Sequence, residues 1–334
     1  VGGWPGVFLA AVAVRVPDVV AVAEGTGASA AGFRSVAVAK VPGWDLAAVA
    51  GRRALGQAGC RPAEVDLLVH ACSHDQDHLT PVSAVQRLLG ADRAAVLEVR
   101  RGSDSGMAAW VAAADHLTAH AGRETALVTV GERFARPAFD RWRTVAGMVL
   151  GDAGASVLLS RRGGFAQPVG VGFSTAPELE EVTRFTVLEA RDRRMDGLAA
   201  KRHLGLRVDL TAVGRLLAAR TRRVVSAALA DAGIDAGRLS WVAMPYVGER
   251  MVRAVMCRPL RVPLEHTTWW AGRRLGHAGG ADQFHGLSAL LEQGRLRPGQ
   301  YGLLLGMGAG FSWTAVVLYV TGPVPAPFPA ERAG

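Results

Sequence analysis

Ser103 is the first residue of the chain whose setting could do chemistry. It lies in EVRRGSDSGMAAW (98–110), where a short apolar run ends in two arginines, a turn Gly102-Ser103-Asp104-Ser105-Gly106 follows, and a helix-like run begins. A serine at such a handover either caps the helix or serves as a nucleophile. A nucleophilic serine needs a general base within hydrogen-bond reach and a third group to orient that base. RRLGHAGGADQFHG (273–286) offers both, again in a glycine turn running into a helix. There His277 can be the base, and Asp282 can accept from its other ring nitrogen and fix the tautomer. The helix N-terminus at Ser103 adds free N–H groups and the positive end of a dipole, which stabilise an oxyanion on an acyl carbonyl. Gly306, Gly308 and Gly310, with Ala309 among them, let a further backbone N–H approach the same oxygen.

Internal repetition pairs these residues. ALGQAGCRPAEVDLLVHAC (54–72) and ALADAGIDAGRLSWVAMPY (228–246) each read as a helix end closed by glycine, a polar loop and a buried strand. Ala54, Leu55, Ala58 and Gly59 recur as Ala228, Leu229, Ala232 and Gly233, an offset of 174 residues. TALVTVGE (125–132) is echoed by YGLLLGMG (301–308), and GDAGASVLLS (151–160) by GAGFSWTAVVLYV (308–320). Short apolar strands alternating with Ala-rich helices imply βαβ units around a buried sheet. A duplicated α/β chain with halves 1–165 and 166–334 follows, and the same offset carries Ser103 onto His277. Two such residues start central helices where the halves meet, and so face one site.

The bulk composition narrows the function classes. A chain of 334 residues, 50% hydrophobic, can bury a large core. The net charge of +9 comes mostly from scattered arginines. No basic helix or aromatic-basic alternation accompanies it, so the reading is no nucleic acid but a phosphorylated or acidic partner, such as coenzyme A or a carrier protein. Cys60, Cys72 and Cys257 have no framework spacing, which points to a reducing cytoplasm. No apolar run is long enough for a membrane, and Val7–Val14 reads as a first strand rather than a signal peptide. His70, His74 and His78 would stack as metal ligands on a helix, but His70 ends the apolar run Val65–Val69, so a strand and loop are expected and no metal. The glycines 306–310 precede a strand, not a helix, and are no dinucleotide fingerprint.

These motifs resemble those of ketoacyl synthase III-like enzymes of the thiolase fold, over nearly the whole chain. GDAGASVLLS is similar to the glycine-rich stretch closing that family's first half, and GRLRPGQYGLLLGMGAGFSWTAVVLYV to its C-terminal end. The resemblance implies two pseudo-two-fold-related βαβαβαββ halves in a five-layer α-β-α-β-α sandwich, and a homodimer to which the stretch 132–150 contributes. It also implies an acyl-CoA or acyl carrier protein donor and no cofactor. The family's Cys-His-Asn triad is altered at every member. Ser103, or Asp104 in the alternative register, stands at the cysteine; Tyr246 stands at the histidine; His277 stands at the asparagine. The altered set resembles a subgroup that includes the daunorubicin starter-unit ketosynthase and the cervimycin malonyl transferase. By that resemblance Ser103 is nucleophile, His277 base, Asp282 orienter, and Gly308, Ala309 and Gly310 the oxyanion loop. Tyr246, His74, Trp269 and Trp270 are expected as pocket residues.

The same site allows two reactions. In transfer, a thioester acylates Ser103 and the acyl group passes to an amine or hydroxyl of a small natural-product intermediate. In condensation, a malonyl unit loses carbon dioxide and its enolate attacks the acyl-serine. Condensation needs polar donors on the malonyl carbonyl, the pair this chain has altered, so transfer is favoured. A non-catalytic partner subunit is the third reading.

Overall fold

The computed structural model describes residues 2–75, 79–145, 147–180 and 209–326. Its principal elements are β1 (Phe8–Arg15), β2 (Asp18–Ala21), β3 (Ser35–Val38), α1 (Gly43–Ala58), β4 (Leu67–Ala71), α2 (Pro81–Leu89), β5 (Ala95–Val99), α3 (Ser105–Ala119), β6 (Thr125–Glu132) and β7 (Ala153–Ser160). There follow β8 (Ala166–Thr175), α4 (Leu210–Ala232), β9 (Leu239–Ala243), α5 (Trp269–Leu275), α6 (Asp282–Glu292), β10 (Tyr301–Gly308) and β11 (Ser312–Val320). The main sheet runs β5-β4-β6-β7-β1-β8-β11-β10-β9. Its middle is thin, because β1 meets β8 only at Leu9 and Ala166. Two smaller sheets thus abut, one from each half.

The repeat is visible in hydrogen bonds as well as topology. Helix α1 ends at Gly59 (φ 61°), with Gly59 N–H donating to Gly56 O and Cys60 N–H to Leu55 O. Helix α4 ends at Gly233 (φ 66°), with Gly233 N–H donating to Ala230 O and Ile234 N–H to Leu229 O. Every partner is displaced by the same 174 residues that separate Ser103 from His277. A left-handed residue at the helix end favours glycine, so the same cap was written twice. In each half, parallel strands (β4 with β5 and β6; β9 with β10) are closed by an antiparallel one, β7 or β11. The halves differ at one edge. Where β5 lies beyond β4, the second half places a single parallel bridge, Val242 with Thr267, beyond β9. The tight turn Leu264–His266 precedes that bridge and helix α5 begins two residues after it.

Period-two burial sorts the side chains into layers. Leu68, Leu127 and Leu158 point to an outer core with Ala47, Leu55 and Val85 of α1 and α2. Their neighbours Val69, Val128 and Val157 point inward to the main core with Met107, Trp110 and Phe284. Helix α4 covers β8 and β11 on the far side. Helices α3 and α6 lie between the sheets and touch, with the Trp110 and Phe284 rings 6.0 Å apart. The order is helix, sheet, helix, sheet, helix, five layers in all.

The central helices start at a backbone crossing that only glycine permits. A Cβ on Gly106 would stand 2.2 Å from Gly280 O, and one on Gly280 would stand 2.8 Å from Gly106 N. These two glycines are themselves one repeat apart. Overpacking at such a contact costs about 1–3 kcal/mol, so Gly106→Ala and Gly280→Ala are each expected to lower the urea unfolding free energy by that amount. Gly56, exposed on α1 with nothing near its Cβ position, is the control: Gly56→Ala is expected to add up to about 1 kcal/mol. Wild-type stability in Gly106→Ala would contradict the crossing.

Candidate active site

Ser103 does not cap its helix. Helix α3 begins at Ser105, and the residue at the cap position is Asp104, whose side chain makes no capping bond. The Ser103 hydroxyl instead meets His277 Nε2 at 2.7 Å. His277 Nδ1 meets Asp282 Oδ2 at 2.5 Å. A carboxylate only accepts, so this geometry places the imidazole proton on Nδ1 and leaves the Nε2 lone pair for the serine hydroxyl. Asp282 is buried and accepts two backbone donors besides, Ala278 N–H at 2.8 Å and Tyr246 N–H at 2.7 Å. Three donors thus fix its orientation.

The His277 backbone is pinned as firmly as its ring. Its N–H donates to Val149 O at 2.7 Å, and its carbonyl accepts from Gly151 N–H at 2.9 Å. Gly276 before it has φ 82°, and a Cβ there would press on Val36 and on Gly151 N, so the turn into His277 requires glycine. The Gly151-Asp152 motif is the other side of this seat. Asp152 accepts from Ala39 N–H and Phe134 N–H, both at 2.8 Å, and pairs with the Arg141 guanidinium at 2.9 and 3.2 Å. It holds the 132–150 segment against the start of β7.

Burial pulls the His277 pKa down, but the charge and hydrogen bond of Asp282, with Glu132 adding, outweigh it and hold the imidazole above its ordinary range. Glu132 carries no motif and was not expected from the sequence. It is fully buried at the end of β6, where it accepts from Ser73 N–H (3.0 Å), Ser73 Oγ (2.8 Å) and, across the halves, Gly280 N–H (2.9 Å). A Cβ on Gly279 would stand 2.4 Å from its Oε1, so this glycine makes room for it. Burial pushes Glu132 up to about 7, against those hydrogen bonds and the nearby His277.

Asp104 turns away from His277. Its carboxyl is buried under the C-terminal hairpin, and Oδ2 accepts from Ser312 Oγ and Thr314 Oγ1, both at 3.0 Å. Burial lifts it to about 6, opposed by Arg101 and by the two hydroxyls. Of the two registers, the structure therefore brings Ser103 and not Asp104 to the histidine. Gly102, at φ 54°, lies under the hairpin tip, its Cβ position 3.1 Å from Ala309 N. The hairpin tip thereby packs on the residue before Ser103, while Gly308 packs against Arg101 O and Gly310 sits open at φ 117°.

Three residues expected in a pocket are placed otherwise. Tyr246 is buried, its hydroxyl 3.0 Å from His285 Nδ1 and its ring filling the space left by Gly272. It reaches the site through its backbone N–H alone. Trp269 is core, edge-on to Phe33 at 5.1 Å, with its indole N–H on Glu249. Trp270 carries the Arg295 guanidinium over its ring. His74, half-buried, stands edge-on to Phe139 at 5.6 Å, beside the Ser73 that Glu132 binds. His70 lies in β4 and pairs with Thr129 Oγ1 at 3.0 Å. His78 lies outside the described residues. No helix among the described residues is long and apolar enough to cross a membrane.

With this geometry in place, comparison with known proteins gives the class. A family model described as 3-oxoacyl-(acyl-carrier-protein) synthase III, C terminal, matches residues 229–320. The beta-ketoacyl-(acyl-carrier-protein) synthase III of Bordetella petrii is 30% identical over 274 residues, covering 81% of this chain and 80% of its own. That of Sphingopyxis alaskensis is 28% identical, covering 86% and 87%. The chain belongs to the ketoacyl synthase III family. Among solved structures, ChlB3, described as an acyltransferase, superposes with a TM-score of 0.89 at 31% identity over 97% of this chain and 100% of that one. The Pseudomonas aeruginosa synthase III superposes at 0.79 with 22% identity, a likeness of fold.

The buried Glu132 makes a prediction of its own. Its folded pKa lies above the ordinary 4.5, so the folded state binds this proton more tightly than the unfolded chain does. Its contribution is complete below pH 4.5 and is lost as pH rises through about 7. The loss amounts to about 3 kcal/mol, and Glu132→Gln, which cannot titrate, is expected to lack it. Urea unfolding of both proteins across this range reads the difference directly. A constant gap between them would contradict the assignment.

Proposed function

We propose that the chain is an acyltransferase that moves an acyl group from a coenzyme A or carrier-protein thioester, through acyl-Ser103, to an amine or hydroxyl of a small natural-product acceptor. The observation that carries this reading is the continuous Ser103–His277–Asp282 hydrogen-bond chain. In the first step His277 Nε2 takes the serine proton while Oγ attacks the thioester carbonyl. The Ser103 and Ala309 N–H groups receive the developing oxyanion, each worth about 3 kcal/mol in the transition state. Collapse breaks the C–S bond, and the leaving thiolate takes the proton from His277. In the second step His277 takes the acceptor's proton, the acceptor attacks the acyl carbonyl, and Ser103 leaves with that proton. Asp282 keeps the imidazole in the one tautomer both steps use.

The placement of Tyr246 favours transfer over decarboxylative condensation. A malonyl thioester losing carbon dioxide needs donors on its carbonyl while the enolate forms. The hydroxyl at that position of the fold is committed to His285. The likeness to ChlB3 supports the same choice. The working unit in this reading is a homodimer joined at β5, an edge strand that leaves Val96 and Leu97 exposed at 43% and 42%.

Intact-protein mass after incubation with a panel of acyl-coenzyme A donors tests the proposal. The expected result is an adduct of one acyl mass on the wild type and none on Ser103→Ala, with a native mass of the same sample near twice 35.0 kDa. An adduct that survives in Ser103→Ala would overturn the assignment of the nucleophile. Carbon dioxide release with a new carbon–carbon bond from a malonyl donor would replace transfer by starter-unit condensation. An inert wild type, with carrier-protein donors also tried, would leave the partner-subunit reading.

A further inference from the structure

The turn that carries Ser103 is fastened to the C-terminal hairpin by a second carboxyl, and the strands opposite are shaped to receive it. Asp104 is fully buried. Beneath it lie two cross-strand pairs, Gly306 with Thr314 and Gly308 with Ser312. Both strands present alternate residues to one face, so these four side-chain positions form a single patch. On β11 the patch offers hydroxyls, and Ser312 Oγ and Thr314 Oγ1 both donate to Asp104 Oδ2 at 3.0 Å. On β10 it offers empty space. A Cβ on Gly306 would stand 2.1 Å from Asp104 Oδ1, and one on Gly308 would stand 2.9 Å from Asp104 Cβ. Oδ1 itself is buried without a hydrogen-bond partner. Neither glycine has a left-handed φ, so proximity and not backbone conformation demands them.

We infer that Asp104 is a positioning residue for the oxyanion site: its side chain locks the hairpin tip 309–311 onto the Ser103 turn and so sets the spacing between the Ser103 and Ala309 N–H groups. The inference rests on the acyl-Ser103 reading. Asp104 follows Ser103 directly, and its anchor Ser312 lies three residues past Ala309, so the clamp closes a short ring around both donors. Backbone packing joins the same turns, Gly102 under Ala309 and Gly308 against Arg101 O, and the Asp104 hydrogen bonds add a side-chain fastening to it. Arg101, from the same turn, reaches Oδ2 only at 3.7 Å and is itself partly exposed. Misplacing one oxyanion donor typically costs about 100-fold or more in the chemical step. Loss of the clamp therefore belongs in the acylation rate constant and not in donor binding.

Three variants and two readouts test this. Asp104→Ala removes the acceptor. Ser312→Ala with Thr314→Val removes the donors and leaves Asp104 in place. Asp104→Asn keeps the shape, its amide oxygen accepting both hydroxyls in the place of Oδ2. Single-turnover acylation by an acyl-coenzyme A donor is expected to slow by at least about 10-fold in the first two, with the donor concentration for half-maximal rate changed less than about threefold. Asp104→Asn is expected to stay within about threefold of wild type. Amide hydrogen exchange in a peptide covering 306–314 is expected to speed up in the first two variants and not in the third. This second readout needs no activity, so it separates failure of the clamp from failure of the acyl-serine reading. Wild-type exchange and acylation in both clamp-breaking proteins would overturn the inference. So would an Asp104→Asn protein as impaired as Asp104→Ala.

Discussion

The contact on which the rest depends is the crossing of two backbones at Gly106 and Gly280. The first turn of α3 and the turn before α6 approach until no Cβ can stand between them. Ser103 and His277 each precede their glycine by three residues, so the approach that joins the halves also sets the 2.7 Å between the two side chains. A looser crossing would leave two helix starts facing each other across water. The geometry of the candidate site is here a by-product of packing, and its tolerance is that of a core contact rather than of a surface loop.

Around this crossing the chain buries four carboxyls, Asp152 paired with Arg141 and three more each held by a different set of donors. Asp282 accepts a ring N–H and two backbone N–H groups. Glu132 accepts from Ser73 and Gly280, linking the first half to the turn of the second. Asp104 accepts two hydroxyls from β11. A buried carboxyl without partners costs several kcal/mol, so each persists only where its donors are built in. Gly280, Ser312 and Thr314 reach these carboxyls from the other half of the chain, and such polar seams help fix the relative position of the two sheets.

Much of this could be read from the residues in order. The 174-residue repeat placed Ser103 opposite His277, because a duplicated fold repeats positions even after side chains diverge. The caps at Gly59 and Gly233 were legible because a left-handed helix end narrows the choice of residue. Asp282 was legible because a tautomer-fixing acid must lie near its histidine. Glu132 and Asp104 were not, since their partners lie 148 and about 210 residues away and no spacing announces them. Tyr246 shows a further limit. Its place in the fold followed from its motif, but the direction of its ring followed from a vacancy at Gly272, which belongs to another element. The single bridge at Thr267, where the first half has a whole edge strand, was equally hidden.

The arrangement also explains why one family can hold two reactions. Both begin with acylation of the residue at the head of α3, and both need an oxyanion site at the Gly-rich hairpin. They differ in what is done to the second substrate. Condensation needs donors aimed at a carbonyl while a carbanion forms; transfer needs a base with a free lone pair aimed at a proton. In this chain His277 has its Nδ1 proton committed to Asp282 and its Nε2 facing the Ser103 hydroxyl. A histidine so held accepts protons well and donates to a neutral carbonyl poorly, because donation from Nε2 first requires the imidazolium. Asp282 lowers the cost of forming that imidazolium within a turnover, which suits a group that takes a proton from serine and returns it to the leaving thiolate. In the proposed transfer reaction, the orientation of one ring, fixed by one carboxylate, suits the site to passing an acyl group rather than to stabilising a carbanion.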